Sequence, residues 1–308
     1  MKLVRYSVDG STTALGSLVG EHVRGLAATY ERYLRQRGVA ARAELARALF
    51  PPSVRGFLRN GAAAEDALKT MDEAVRGGRL EWVQFPLASV KLHAPLPDPE
   101  KFICIGLNYI DHAEETNSPI PKEPPLFAKF VTAIVDPTAP IVRPKGCQKL
   151  DYEVELGFVM GREAHGVPAE RALDYVWGYV LVNDVSARDF QMATSQWTAG
   201  KACDTFAPMG PWIADRAEIP DPHALELRAW VNGTKLQDGN SKNLIFNINY
   251  LVAFLSAKMT LLPGDIVITG TPAGVGFTRK PPVLLKGGDR VRMEITGLGT
   301  LDNPVVEA

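Results

Sequence analysis

The stretch DYEVELGFVMG, residues 151–161, places two acidic side chains inside an apolar segment. A β-strand sends residues i and i+2 to the same face, so Glu153 and Glu155 are expected to point the same way. Two carboxylates on a buried face repel each other unless solvent or a cation lies between them. The pattern therefore leaves two interpretations open, the wet face of an amphipathic strand or a cation site.

The residues around this pair favour the cation site. Val154, Leu156 and Phe158 alternate with or follow the acids, and a nearly continuous apolar run follows Gly157. A third acid, Asp184, ends another apolar run, VWGYVLVND, which is an unusual place for a carboxylate unless it is a turn residue or a ligand. Carboxylates without a neighbouring Cys or His suit a hard ion better than zinc. If the acids hold an ion, we expect Mg²⁺ or Mn²⁺, with Ca²⁺ as a further option, and the solvated strand stays open as the alternative at this point.

The chain beyond residue 100 reads as short β-rich segments separated by Gly, Pro, Asn and Asp, which is typical of strands and turns. VNG-T and GLG-T predict hairpin turns, and helices are expected at about 168–173 and 248–258. Strands and helices do not alternate as βαβ units. We therefore predict an α+β fold dominated by mixed or antiparallel sheet, rather than a doubly wound or TIM architecture.

The first part of the chain has a different character. After two short strand-like segments, residues 21–50 are rich in Ala, Leu and Arg and are predicted to be helical until a Pro pair ends them. The segment AEDALKTMDEAVRGG predicts a further helix, and the three prolines of 94–102 mark a boundary. We predict a small N-terminal α+β domain at 1–95 and a main domain at 96–308.

Composition excludes several function classes. The 308 residues are 46% hydrophobic and 22% charged, enough for one substantial core. Lys+Arg 34 against Asp+Glu 35 gives no general attraction to nucleic acid, so we expect no nucleic-acid partner. The charged start MKLVRYSVDG does not fit a signal peptide, and no apolar run reaches the roughly 20 residues of a membrane span. A soluble, cytoplasmic protein with no membrane partner is the expectation.

Five motifs together resemble a known family. In order they are GLNYIDHAEE (106–115), DYEVELGFVMG (151–161), NDVSARDFQ (183–191), GKACDTFAPMGP (200–211) and PGDIVITGTPAGVG (263–276). They resemble the catalytic domain of the fumarylacetoacetate hydrolase family, from about residue 100 to the C-terminus. Within that family, the sequence resembles bacterial acylpyruvate hydrolases, hydroxymuconate-type isomerases and oxaloacetate-processing enzymes.

The resemblance implies roles for particular residues. In the family two glutamates of an ExE strand and a later aspartate hold the metal, and these fall on Glu153, Glu155 and Asp184. It further implies that a wall receives the keto-acid end of the substrate, with Lys201 also catalytic. That wall comprises Arg188, Gln191, Lys201 and Thr271. Taken singly, Arg188 and Lys201 also fit ordinary surface charges. The chain departs from many members at Leu107 and Ala202, which bears on substrate choice.

The family also has a histidine followed three residues later by a glutamate, on a short helix that orders over the substrate and activates the catalytic water. Here these residues are His112 and Glu115. Histidine suits proton transfer at neutral pH, and residues i and i+3 share a helix face. The alternative from the residues alone is a solvated pair on a surface helix.

These residues fit more than one reaction. Our first hypothesis is metal-dependent hydrolysis of the C–C bond of an acylpyruvate-like 2,4-diketo acid through a metal-stabilised enolate, with water activated by His112 and Glu115. The alternative is an isomerase, tautomerase or decarboxylase of a related keto acid, such as oxaloacetate or a hydroxymuconate-type dioate. A non-catalytic binding module is disfavoured because no expected metal ligand is missing. Relatives of this kind resemble homodimers, and we expect one here.

Overall fold

The computed structural model describes residues 1–10 and 12–308. Its strands, in chain order, are β1 Lys2–Ser7, β2 Ala14–Val19, β3 His22–Gly25, β4 Gln84–Pro86, β5 Lys91–His93, β6 Phe102–Ile105, β7 Leu126–Ala128, β8 Ile134–Val135, β9 Ile141–Arg143, β10 Leu150–Asp151, β11 Val154–Met160, β12 Val176–Asn183, β13 Ser186–Ala187, β14 Ala207–Asp215, β15 Glu226–Val231, β16 Thr234–Asn240, β17 Ile266–Ile268, β18 Arg290–Ile295 and β19 Gly299–Glu307.

The helices are shorter in total than the strands. They are α1 Leu26–Gln36, α2 Arg42–Leu49, α3 Val54–Arg59, α4 Gly61–Arg76, α5 Ile110–Glu115, α6 Arg188–Gln191, α7 Thr198–Lys201 and α8 Ile248–Ser256, with a 3-10 helix at Ala169–Asp174. The last two confirm the helices expected near 168–173 and 248–258. None of the helices in the described part of the chain has the length and apolar content needed to cross a bilayer.

Two mixed sheets form the body of the protein. The 12-stranded sheet has the order β4-β3-β2-β1-β14-β12-β11-β17-β6-β7, with β5 also paired to β1 and β8 to β14. The second sheet has the order β16-β15-β18-β19-β9. Most pairs are antiparallel, whereas β17–β6, β14–β8 and β19–β9 are parallel. The α+β prediction with mixed sheet is thereby confirmed, and both predicted hairpin turns join antiparallel neighbours.

The N-terminal strands continue the main sheet. β1 pairs with β14 in the register Lys2↔Ala214 and Leu3↔Ile213. The helix predicted over 21–50 is wrong at its start, because His22–Gly25 form β3 between β2 and β4. Strand pairing on both sides outweighs the helix propensity of the residues that follow. The division at residues 95 and 96 stays a prediction, and it falls between β5 and β6.

A hydrogen-bonded chain of side chains ties the N-terminal strands to the loop after β8. Ser7 Oγ lies 2.8 Å from His93 Nε2, and His93 Nδ1 lies 3.0 Å from Asp136 Oδ2. Asp136 also accepts a hydrogen bond from the Ala94 amide and pairs with Lys91 at 3.0 Å. Ser7 is only 1% exposed, so this arrangement is a structural link and not a reactive hydroxyl open to a substrate.

The sheet order determines where the functional residues meet. β11 runs antiparallel to both β12 and β17, and β17 runs parallel to β6. The beginning of β11 therefore lies at the same edge as the ends of β12, β17 and β6. Four segments carrying motif residues converge at this edge.

Candidate active site

The three predicted metal ligands are brought together at this edge. Glu153, Glu155 and Asp184 each offer a carboxylate oxygen within 4.8 Å of the other two, and all three residues are buried. The Glu153 carbonyl accepts a hydrogen bond of 2.9 Å from the Asp184 amide, which fixes the start of β11 against the end of β12. The solvated-strand alternative is excluded, because every residue of β11 is buried.

Two predicted basic residues lie against the acids. Lys201 Nζ is 2.7 Å from Glu153 Oε2 and 2.8 Å from Asp184 Oδ2. Arg188 donates to Asp151 at 2.9 Å and to Glu153 at 2.5 Å. Both cations are buried, so the surface-charge alternative does not hold. Charge-assisted bonds of this kind hold the acids in a fixed arrangement.

α6 and α7 bring these two cations to the acids by packing very closely. Gly200 of α7 lies against α6, and a Cβ there would be 2.3 Å from the Gln191 amide nitrogen and 2.5 Å from the Ala187 carbonyl oxygen. No larger residue fits this contact. The glycine before Lys201 thus allows both short helices to present their side chains to one cavity.

The sequence analysis missed a third cation, Lys129. Its ammonium lies 2.7 Å from Asp184 Oδ1 and donates to three backbone carbonyls, those of Val185, Lys201 and Phe206. The signal available was weak, a single lysine in the apolar stretch PPLFAKF. Its three carbonyl partners come from distant positions in the chain, which no local pattern shows.

The two glutamates differ in their electrostatic surroundings. Burial raises the pKa of Glu153, but Arg188 and Lys201 outweigh it, and the net pKa of this carboxyl is well below its usual range. Burial, followed by the charges of Asp184 and Glu153, raises the pKa of Glu155 well above its usual value. The difference follows from the contacts, since Glu155 makes no ion pair with any residue that the structure describes.

The lack of a cationic partner at Glu155 suits a divalent cation. Glu155 is 1% exposed, and its Oε2 accepts one hydrogen bond, from the Gly270 amide at 2.8 Å. Asp184 Oδ1 is buried and has the Lys129 ammonium as its ion-pair partner at 2.7 Å, so Glu155 is the member of the triad without a cationic partner among the described residues. A buried carboxylate without a cationic partner is costly, and a hard cation between the acids would remove that cost. The donor set of three carboxylates fits Mg²⁺ or Mn²⁺.

Gly270 allows the close approach of two loops around Glu155. Its φ is +93°, and a Cβ there would lie 3.0 Å from the Asn108 Cβ. Asn108 is fully buried and bonds to the Thr269 and Phe246 carbonyls through Nδ2. The GLNY and TGTP motifs therefore lock together beside the acids, and the segment after Asn108 leads directly into α5.

α5 carries the predicted histidine and glutamate. His112 Nδ1 lies 2.7 Å from Glu115 Oε1, and both residues are largely buried, so the solvated-pair alternative does not hold. Glu115 Oε2 accepts further bonds from the Gly274 amide at 2.9 Å and the Thr278 hydroxyl at 3.0 Å. Burial raises the pKa of Glu115, but its bonds to His112, Gly274 and Thr278 lower it overall. The carboxylate thus stays ionised and holds the imidazole in one orientation.

All but one of the predicted site residues line a single cavity of about 240 Å³. Glu115 is the exception, since it lies behind His112. Thr271 faces the cavity, but its hydroxyl donates to the Val154 carbonyl and accepts from Gln237. Gln191 Oε1 accepts from Arg188, which leaves its amide group for a ligand. The remaining walls include Phe127 and Trp197, which were not predicted.

Comparisons with known proteins identify the family of the chain. The family model of the fumarylacetoacetate (FAA) hydrolase C-terminal domain matches residues 101–306. The chain belongs to the fumarylacetoacetate hydrolase family, an enzyme family acting on small keto acids whose members typically bind a divalent metal. The resemblance on which the site residues were assigned is thereby confirmed.

Individual relatives differ in the reaction that their names give. The chain is 46% identical over 258 residues to mitochondrial oxaloacetate tautomerase fahd2 of Xenopus laevis, covering 83% of this chain and 79% of that protein. Among solved structures, 5-carboxymethyl-2-hydroxymuconate delta-isomerase from Mycobacterium smegmatis is similar, with a TM-score of 0.74 and 34% identity over 100% and 99% of the two chains. Maleylpyruvate hydrolase from Sphingobium sp. SYK-6, with manganese(II) and pyruvate, has a TM-score of 0.77 and 30% identity over 100% of both chains.

Proposed function

We propose that this chain is a divalent-metal-dependent tautomerase that interconverts the enol and keto forms of oxaloacetate. The observation that carries the proposal is the meeting of the His112–Glu115 pair and the acidic triad at one cavity. Sequence analysis placed hydrolysis first. The order changes because the relative named oxaloacetate tautomerase is 46% identical over 83% of this chain, whereas the relatives that are 52% identical match 65% of it and carry only the general name hydrolase, without a substrate.

The chain's own residues suit proton transfer beside a keto group. Ionised Glu115 accepts from His112 Nδ1, so the ring hydrogen belongs on Nδ1 and Nε2 keeps a lone pair. With His112 in the cavity wall, Nε2 takes a proton from the carbon next to the keto group and delivers it to the keto oxygen to give the enol, and the reverse transfer regenerates the keto form. A divalent ion at Glu153, Glu155 and Asp184 would polarise the keto oxygen and make that proton more acidic.

The reaction also requires that the substrate carboxylate is bound, and the basic residues of the cavity provide this binding. Lys201 and Arg188 line the cavity and are fully charged, since their acidic partners raise the pKa of both despite burial. The Gln191 amide adds a hydrogen-bond donor beside them. This cationic wall orients the acid end, so that the carbon next to the keto group faces His112.

Hydrolysis of an acylpyruvate-like 2,4-diketo acid is the second candidate. The observation in its favour is the same pair, because an imidazole oriented by a carboxylate also activates water for attack on a carbonyl. The pyruvate in the related maleylpyruvate hydrolase structure is the product expected of such a cleavage. The two candidates differ in whether water is added across a C–C bond.

One assay separates the two reactions. Oxaloacetate enol-to-keto conversion is followed by ultraviolet absorbance, and acetylpyruvate and fumarylpyruvate are followed by NMR, each with Mg²⁺ or Mn²⁺ and with a chelator control. Metal-dependent acceleration of the oxaloacetate conversion alone supports the tautomerase. Release of pyruvate and the matching acid from a diketo acid, without effect on oxaloacetate, would overturn it in favour of the hydrolase.

We also propose that the enzyme is a homodimer. β7 is the last strand of the main sheet, and apolar side chains near it are exposed, namely Leu126 at 41%, Phe130 at 56% and Val131 at 51%. A sheet edge flanked by apolar side chains gains stability when another chain covers it. Sedimentation equilibrium tests the proposal, and a monomer at micromolar concentration would contradict it.

A further inference from the structure

A second cavity of about 330 Å³ adjoins the cavity that holds the acidic triad. Arg188, Met192 and Phe277 line both cavities, so these three side chains form the partition between them. Arg188 also contacts Glu153 of the triad at 2.5 Å. The second cavity therefore begins immediately beside the place where a keto acid would bind.

The three partition residues differ in how tightly their contacts hold them. Arg188 is held by Asp151, Glu153 and Gln191, and its guanidinium lies 4.4 Å from the centre of the Phe277 ring. Met192 is 62% exposed and directly follows α6. A methionine side chain is unbranched and adapts easily to its neighbours. Of the three partition residues, Met192 is the exposed and unbranched one, so it can shift aside without disturbing the contacts of Arg188.

The second cavity is largely apolar. Beyond the partition its walls include Ala193, Pro282 and Leu284. Its acid, Asp189, already accepts hydrogen bonds from the amides of Gln148 and Phe190. Its lysine, Lys149, is exposed, and a solvated ammonium contributes little to holding a ligand. The lining suits a hydrocarbon substituent better than a second carboxylate.

We infer that the second cavity is a subsite for a hydrocarbon extension of the substrate, so that the enzyme also accepts 2-keto acids with an alkyl tail of several carbons. The inference rests on the proposed function for the position of the keto-acid end. Oxaloacetate, which ends in a second carboxylate, does not need this cavity. The tail passes Met192 and lies against Leu284 while the acid end remains at Arg188 and Lys201.

The test is calorimetric binding of oxamate and its N-alkyl derivatives to the Mn²⁺-loaded enzyme. Oxamate carries the carboxylate and adjoining carbonyl of a 2-keto acid but does not react, so the result is independent of which reaction the enzyme catalyses. From N-methyl to N-butyl oxamate, affinity is expected to rise about threefold per methylene, a little less than full burial of each group would give.

Two variants locate the effect. Leu284→Asp places a charge in the second cavity and is expected to remove the dependence on chain length while leaving oxamate affinity unchanged. Ala193→Trp fills the same cavity from an exposed position and is expected to do the same, even if the first variant folds poorly. The matched control is Leu45→Asp in α2, at a leucine that is 44% exposed and belongs to neither cavity.

The outcomes separate the inference from the proposed function. Failure of oxamate itself to bind would count against a keto-acid site altogether. Tight binding of oxamate with no gain along the alkyl series would overturn the subsite alone. An equal gain in the wild type and in both cavity variants would also overturn it, because the tail would then lie elsewhere.

Discussion

The ammonium of Lys129 lies 2.7 Å from Oδ1 of Asp184, and both side chains are fully buried. Removal of one partner of a buried ion pair leaves an uncompensated charge. We expect Lys129→Met to lower the free energy of unfolding by about 3–5 kcal/mol. Urea denaturation measures the change, with Lys242→Met, at an exposed lysine, as the control. A loss as small as that of the control would contradict the structural role of Lys129.

Glu155→Gln tests the metal site. The substitution keeps the size of the side chain but removes the carboxylate that lacks a cationic partner. We expect Mn²⁺ to bind at least about a hundredfold more weakly, since even residues behind the ligands contribute on that scale. Calorimetric titration measures the affinity, with Glu163→Gln at an exposed position as the control. Unchanged Mn²⁺ binding would show that the triad does not hold the ion.

The same variant has a second expected effect, on the metal-free protein. Because the pKa of Glu155 is raised in the metal-free fold, this carboxyl destabilises the fold as the pH rises above its usual pKa, so the neutral amide is expected to raise the melting temperature at pH 8 in the presence of a chelator. A lower melting temperature would mean that Glu155 has another structural partner.

His112→Ala tests the proposed base. Because the imidazole is the proton acceptor and not a metal ligand, the variant is expected to keep Mn²⁺ and oxalate binding but to lose turnover by about 10² or more. Calorimetry and the oxaloacetate assay provide the two measurements, and His165→Ala, at an exposed histidine, is the control. Full turnover in His112→Ala would leave the metal alone responsible for the proton transfer.

Thr278→Val tests how Glu115 is held. The Thr278 hydroxyl helps to keep the pKa of Glu115 below its usual value. Without it the pKa rises, so the ionised form needed to orient His112 is lost at a higher pH during acidification. We expect the acid limb of the pH–kcat profile to move to higher pH and kcat to fall about tenfold, the worth of one hydrogen bond to a charged group. Thr278→Ser is expected to restore the wild-type profile.

Asp136→Asn tests the link between the N-terminal strands and the loop after β8. Burial raises the pKa of Asp136, but the Ala94 amide, Lys91 and His93 lower it overall. A lowered pKa means that the ionised carboxylate stabilises the fold above the unfolded value of about 3.9, and that this contribution is lost as the pH falls through the folded value.

The difference in melting temperature between wild type and Asp136→Asn is therefore expected to be largest near neutral pH and to shrink below about pH 4. Thermal unfolding across this range measures it, and Asp66→Asn, at an exposed aspartate, is the control. A difference that does not depend on pH would assign the effect to packing instead of charge.

The sequence predicted those site residues whose pattern lies within one short segment, and it missed those whose contacts join distant segments. The Glu153 and Glu155 spacing is a property of one strand, and Asp184 ends a second apolar run, so both were visible in the printed sequence. Lys129 was not, because its partners are carbonyls from three separate positions. The sequence analysis missed Thr278 for the same reason, since its contact with Glu115 depends on the path of the loop after β17.

Strand β3 shows where a local sequence pattern gives the wrong prediction. Residues 21–50 favour a helix by composition, but His22–Gly25 pair with strands on both sides, one of which lies some sixty residues later in the chain. Local propensity gives way to such long-range hydrogen bonding. The mixed sheet was predictable because short strand-like segments follow one another without βαβ alternation, whereas the order of its strands was not.

The pairing of β1 with β14 also bears on the solubility of shorter forms of the enzyme. Along β14, the backbone around Ile213 and Ala214 is covered by Lys2 and Leu3. A shortened form that contains only residues 101–306, the region matched by the family model, would leave these backbone amides and carbonyls unpaired. Another chain could then pair with them. Pairing with the N-terminal strands thus protects the main sheet from polymerisation through β14.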